Sequence, residues 1–250
     1  MRATLHSDLK LSGNRLYDLA IGARYSLTKD GAWLLRRLAK DGHVKALTDL
    51  IIQKKGIEEQ EARQAIYSLL GQINLFGGIT LSRLGSYRMT NVLTHIEWRV
   101  RYPGTISGFI RSMLRAYSLL IALATISFGA LKIVAGSNLP VLWTALPAIL
   151  FASCVLHEAG HTLAARKFKI PFVFLSHVGY SAILYAQPGV RVGRKIAICG
   201  PLPVGLFYLI LALLPAIWPI RLSLAITSAL HLISLLPITS DGKTIWRRDG

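Results

Sequence analysis

The spacing of apolar positions changes character twice along this chain of 250 residues. Before residue 27 the runs are short and broken. LSGNRLYDLAIGARYSL predicts one or two short strands joined at Gly13-Asn14 and Gly22. From Leu27 the spacing turns helical. LTKDGAWLLRRLAKDG predicts a helix capped by Thr28 and ended by Gly42, with Trp33, Leu34, Leu35 and Leu38 forming its apolar face. HVKALTDLIIQKKG predicts a second helix, ending at Gly56. A third opens with Glu58, Glu59 and Glu61, acids suited to a helix N-terminus, and runs to Gly77-Gly78. ITLSRLGSYRMT either returns as a strand or leads out, and residues 91–104 read as a linker ending at Pro103-Gly104. TISGFIRSMLRAY then sets Ile106, Phe109, Ile110, Met113, Leu114 and Tyr117 at helical spacing, with Arg111 and Arg115 on the other face. That pattern predicts an amphipathic helix on a membrane surface, or a basic extension of the first span.

The second change is to long apolar runs at 117–135, 139–164, 196–219 and 222–239. Each is near the roughly 20 residues that cross a hydrocarbon core. Residues 171–192, rich in β-branched and aromatic side chains, predict a β-hairpin between the second and third runs. The expected fold class is a membrane α-helical protein: about four transmembrane helices, a membrane-associated β-hairpin, and a small N-terminal cytosolic α+β domain of winged-helix type. The expected divisions are 1–90 for that domain, 91–116 for linker and interfacial helix, and 117–250 for the membrane domain.

Composition agrees with this class. The chain is 52% hydrophobic and 16% charged, with a mean hydropathy of +0.46, above an ordinary soluble domain. Its net charge is +17. A basic total is compatible with nucleic acid, but the third helix opens with three acids, a poor surface for phosphates. No nucleic-acid partner is expected. Positive-inside loops beside anionic lipid account for the excess. Arg99, Arg101, Arg111, Arg115, Arg166, Lys167, Lys169, Arg191, Arg194, Lys195, Lys243, Arg247 and Arg248 fall on one side, whereas the loops at 136–138 and around Arg221 are short and nearly uncharged. An integral, multi-pass membrane protein with both termini in the cytoplasm is expected, Lys132 snorkelling to the interface from within the first span. No cleaved signal peptide is visible in the first thirty residues. Cys154 and Cys199 lie in apolar segments and suggest no disulfide framework; Cys154, three residues before His157, reads as a buried small residue.

Within the second apolar run stands HEAGH, residues 157–161. Positions i and i+4 share a helix face, so His157 and His161 can present two imidazoles to one metal ion. Glu158 lies about 100° round the helix, within reach of a metal-activated water. Ala159 and Gly160 keep the surface small, so that another helix can approach. Ionisable groups in an apolar span cost roughly 2.5–3.5 kcal/mol each on insertion scales and usually serve a function. A catalytic zinc site needs a third protein ligand and an open position. Asp241, just past the fourth run, is at matching depth, with Pro237 and Gly242 breaking and freeing the backbone around it. His231 is a rival ligand, but ten residues along a straight helix place it about 15 Å away, at the wrong depth. His177, in the loop that follows the second run, could sample the site but has no fixed spacing, and neither His231 nor His177 is expected as a ligand.

HEAGH in an apolar helix, the Gly-Pro turn in ICGPLPVG, and LLP followed by Asp241-Gly242 together resemble the site-2 protease family of intramembrane zinc metalloproteases. The resemblance covers residues 139–250. It implies that His157, His161 and Asp241 hold Zn2+, that Glu158 is the general base, and that the hairpin lies near an extended substrate. Gly200, Pro201 and Ser234 would touch substrate by the same likeness; His177, from its place in the loop, is a further candidate for substrate contact. Val204 and Ser234 stand where the family's turn and last span carry Asn, and three residues rather than four separate Pro237 from Asp241. Ser234 can still donate one hydrogen bond to substrate; Val204 cannot. Residues 10–80, from YSLTKDGAWLLRRLAKDGHVKALTDLI through EEQEARQAIYSLL, resemble PqqD-like peptide-binding domains, the RiPP recognition elements. That likeness implies capture of a leader peptide as an added strand.

The expected function is zinc-dependent hydrolysis of a peptide bond at the cytosolic side of a membrane, acting on a ribosomally made precursor peptide held by the N-terminal domain. Two alternatives stand beside it: a regulatory protease cutting a membrane-anchored protein, and a non-catalytic membrane peptide-binding protein that retains the fold.

Overall fold

A computed structural model gives the architecture of residues 3–75, 77–81, 99–118, 120–123, 125–126, 141–177, 179–186, 188–216 and 218–247. Most of the predicted first span (117–135), Lys132, the loop at 136–138, and residues 91–98 of the predicted linker lie outside the described residues.

The N-terminal part is built on strands β1 (Ala3–Leu5), β2 (Leu9–Ser12), β3 (Arg15–Asp18) and β4 (Ala23–Ser26), followed by helices α1 (Lys29–Asp41), α2 (Val44–Lys55) and α3 (Glu59–Asn74) and strand β5 (Ile79–Leu81). β2, β3 and β4 form an antiparallel meander in which Leu9 pairs with Asp18 and Arg15 with Ser26. ITLSRLGSYRMT does return as a strand, because β5 pairs antiparallel with β1, Ala3 opposite Leu81. Thr28 caps α1 by accepting from the Gly31 N–H. Gly42 and Gly56 end α1 and α2 in the left-handed conformation that a side chain would penalise. The last helical residue of α3 is Asn74, and the chain leaves the helix through the predicted glycines: Gly77 is left-handed at φ 65, its N–H donates to the Asn74 carbonyl, and the Gly78 N–H donates to the Ile73 carbonyl. Leu16, Leu35, Leu38, Ile66, Leu70 and Ile73 fill the core between sheet and helices.

The remaining elements are β6 (Val100–Pro103), α4 (Ile106–Ala116), α5 (Val141–Lys167), β7 (Phe172–His177), β8 (Tyr180–Tyr185), α6 (Val190–Cys199), α7 (Pro201–Leu213), α8 (Trp218–Ile233) and α9 (Ser240–Ile245). The predicted hairpin is present as β7 and β8, His177 pairing with Tyr180. The predicted linker is not a mere connection: its end is β6, which pairs antiparallel with β7 and completes a sheet of order β6-β7-β8. α4 lays Phe109, Ser112, Met113 and Ala116 against that sheet and turns Ile106, Ile110 and Leu114 outward. The apolar residues of this helix thus divide between two faces.

Two helical stretches, Leu146–Lys167 and Val190–Leu213, are long and apolar enough to cross a membrane, and Ile220–Ile233 is a shorter apolar helix. Two of the four expected spans therefore have that length and composition among the described residues. The third begins earlier than expected, at Val190, and is broken at Gly200-Pro201. The fourth is shortened because helix geometry ends at Ile233 and the chain then turns through 234–239. Leu156, Leu163, Leu206, Phe207, Leu209, Ile210 and Leu213 project outward from these helices, more apolar surface than a water-facing helix pair carries.

The N-terminal part is fastened to the β6-β7-β8 sheet. Arg101 on β6 forms two hydrogen bonds to the Asp18 carboxylate, at 2.6 and 2.5 Å, and both side chains are fully buried. The Arg99 N–H donates to the Asn74 side chain, and the Arg99 guanidinium to the Leu75 carbonyl. A Cβ at Gly77 would strike Leu175 of β7. Arg101, expected as a positive-inside charge beside lipid, is instead an internal ion partner.

Candidate metal centre

α5 carries the HEAGH residues where its polar face meets the break between α6 and α7. Gly160 has no room for a side chain, since a Cβ there would run into the Cys199 carbonyl. At the next residue on each side, Gly200 lies against the His161 imidazole, and a Cβ would collide with the ring. This pair of contacts sets the height and rotation of α5 against α6 and α7. The His161 Nδ1–H donates to the Ile196 carbonyl at 2.8 Å, which leaves Nε2 as the lone-pair nitrogen.

Asp241 is brought to the same place by the turn after α8. Thr239 caps α9 by accepting from the Gly242 N–H at 3.1 Å, and its hydroxyl donates back to the Ser234 carbonyl at 2.5 Å. The Trp246 indole N–H closes the turn on the Leu235 carbonyl at 2.9 Å. Gly242 does not supply a special backbone angle, as expected from sequence. It is needed because a Cβ would overlap the Leu236 carbonyl.

Three donor atoms converge. His157 Nε2 lies 3.0 Å from His161 Nε2, and Asp241 Oδ2 lies 3.1 Å from the first and 3.4 Å from the second. Burial alone would push the Asp241 carboxyl up; the two imidazoles beside it outweigh that and hold it below the ordinary carboxylate range. Glu158 is buried next to the cluster, and its Oε2 finds no hydrogen-bond partner among the described residues. The group His157, His161 and Asp241 is suited to hold a metal ion. Two imidazoles and a carboxylate are donors that suit first-row transition metals rather than the all-oxygen shells of hard cations.

No family model, curated protein or solved structure matches the chain.

A cavity of about 200 Å³ opens on the cluster, lined by His157, Glu158, His161, β8 residues Tyr180, Ser181, Ala182, Ile183 and Tyr185, α6 residues Ile196 and Ala197, and α9 residues Ser240, Asp241 and Thr244. One water occupies roughly 30 Å³, so there is room for a metal, its water and a piece of substrate backbone. β8 pairs with β7 on one side and borders the cavity. Burial first, and then the Asp241 carboxylate, push the Tyr185 phenol above its ordinary range, so it remains a neutral hydrogen-bond donor.

The other expected substrate contacts stand elsewhere. Gly200 packs behind His161 and Pro201 is buried at the start of α7. His177 sits at the β7–β8 turn, outside the cavity lining. Ser234 spends its hydroxyl on the His231 carbonyl, at 2.6 Å. Val204 is packed with Tyr208, Ala212 and Leu224. His231 corrects the sequence reading most directly: its Nδ1 lies 3.1 Å from His157 Nδ1, not a helix length away. The residues that sequence reasoning missed as cavity walls, Tyr180, Ser181, Tyr185, Ser240 and Thr244, carried a weak signal in the alternation of the hairpin and in the sequence beside Asp241.

Proposed function

We propose that the chain is a zinc-dependent peptidase working at the cytosolic face of a membrane. The observation that carries this reading is the meeting of His157 Nε2, His161 Nε2 and Asp241 Oδ2 beside the buried Glu158, whose Oε2 has no hydrogen-bond partner among the described residues. The motifs HEAGH, GPLPVG and LLP before Asp241-Gly242 support it through their likeness to site-2 proteases. His157, His161 and Asp241 would hold the ion, and a zinc ion there supplies Lewis-acid activation of water and of a peptide carbonyl. Glu158 takes the proton from the attacking water and delivers it to the leaving amine. A structural zinc site is closed by four protein ligands and needs no such base. The β8 edge and the neutral Tyr185 hydroxyl offer backbone and phenolic groups to an extended segment, whose carbonyls are accessible as those of a helix are not.

The basic loops support a topology with the termini and the site on the cytoplasmic side. The preferred substrate is a ribosomally made precursor peptide with its leader on the N-terminal part, a reading supported by the PqqD-like pattern of residues 10–80.

Metal analysis of detergent-purified protein tests the ligand set. Wild type and Glu158→Gln should carry near-stoichiometric zinc, and Asp241→Ala should lose it. In liposomes, the wild type should cleave a library of extended peptides carried on a membrane anchor, whereas Glu158→Gln should not. A metal-free wild type, or an Asp241→Ala variant that retains zinc, would overturn the reading.

A further inference from the structure

His231 has no place in the ligand set, yet it is buried at 9% exposure and aimed at a ligand. The two nitrogens of His157 face different partners. Nε2 faces His161 and Asp241, on the side where a metal would be held. Nδ1 faces His231 Nδ1 at 3.1 Å, with the rings tilted by 32°. A histidine that gives the Nε2 lone pair to a metal carries its hydrogen on Nδ1, and that hydrogen must find an acceptor. For His161 the acceptor is the Ile196 carbonyl. For His157 the atom in that position is His231 Nδ1.

We propose that His231 is a positioning residue: it accepts the hydrogen bond from His157 Nδ1–H and thereby holds His157 in the tautomer and orientation that binds the metal. The inference rests on the metal-centre reading above. The same nitrogen cannot also be a ligand, since it addresses the side of the His157 ring away from the donor cluster.

The backbone of His231 extends the argument to Asp241. Its carbonyl accepts from the Ser234 hydroxyl at 2.6 Å, and the Ser234 carbonyl accepts from Thr239, the cap of the helix that carries Asp241. One run of hydrogen bonds therefore passes from His157 through His231, Ser234 and Thr239 to the α9 N-terminus. It fixes the tautomer of one ligand and the position of another, and it gives the Ser234 side chain a use other than substrate contact.

Asn and Leu are near-isosteric, so His231→Asn and His231→Leu separate the acceptor from the bulk. The measurement is zinc affinity by chelator competition in detergent, with the visible spectrum of cobalt-loaded protein as a second readout and Asp241→Ala as control. His231→Leu should bind zinc roughly 10–100-fold more weakly, the range for lost outer partners of metal-bound histidines. His231→Asn should recover most of that loss, with cobalt bands matching wild type. His231→Ala replaces the Leu variant if the latter does not fold. Unchanged affinity in His231→Leu, no recovery in His231→Asn, or shifted cobalt bands in His231→Asn would each overturn the proposal. Loss of zinc from Asp241→Ala alongside an unaffected His231→Leu would sink the positioning role and leave the metal centre standing. Normal zinc in Asp241→Ala would sink both.

Discussion

Two imidazole nitrogens and a carboxylate oxygen within 3.0–3.4 Å of one another repel unless protons or a cation sit among them. HEAGH was legible because helical spacing alone brings positions i and i+4 together. Asp241 was legible from its depth just past the fourth run and from the Pro237 and Gly242 that flank it. His231 was not. Ten residues rise about 15 Å only along a straight helix, and the turn at 234–239 cancels that rise. Gly200 was visible as half of a Gly-Pro turn, but only the packing shows that it lies against a ligand ring. Gly200→Ala should therefore destabilise the fold by about 1–3 kcal/mol, the usual cost of overpacking. It should also weaken zinc binding measurably in chelator competition, because the ring that must move is that of His161. Gly193→Ala, facing only Thr244 and Pro188 at ordinary contact distance, should leave zinc affinity unchanged.

Among the elements, α1 and α2 were readable to the residue because their stop signals, Gly42 and Gly56, are local backbone chemistry. β6 was not readable as part of a sheet. Its partner β7 lies some seventy residues on, Val100 opposite Ser176, and no local pattern announces a pairing over that distance. The same blindness made Arg101 look like a lipid-facing charge, since the residue that buries it, Asp18, lies 83 positions away. Removing one member of a buried ion pair costs roughly 3–5 kcal/mol, because the other is left uncompensated. Asp18→Ala should lower the thermal unfolding temperature of the detergent-solubilised protein accordingly. Replacing both members, as Asp18→Leu with Arg101→Met, should recover part of that loss, since the Asp18 carboxylate also accepts from the Ala20 and Ile21 N–H groups. An Asp18→Ala variant as stable as wild type would mean that the pair does not hold β6 in place.

For the molecule as a whole, the outward Leu, Ile and Phe side chains of α5 and α7 predict that the protein stays with membranes through an alkaline wash and floats with liposomes in a density gradient. Release into the aqueous fraction would refute the membrane reading. Metal bound only to the folded state adds stability by mass action, about 2.7 kcal/mol at a hundredfold excess over the dissociation constant. A strong chelator should therefore lower the unfolding temperature of the wild type and leave that of Asp241→Ala unmoved.

The buried pair between Asp18 and Arg101 also bears on how the chain can be taken apart. A fragment beginning near residue 99 would keep every donor of the metal centre and still inherit a guanidinium with its counter-charge gone, on the first strand of the sheet that walls the cavity. A fragment ending near residue 81 would inherit the complementary orphan, a carboxylate at the end of β3. Neither piece is a module that could be exchanged with another protein intact, and any recombination at this boundary, in the laboratory or in evolution, must change residues 18 and 101 together.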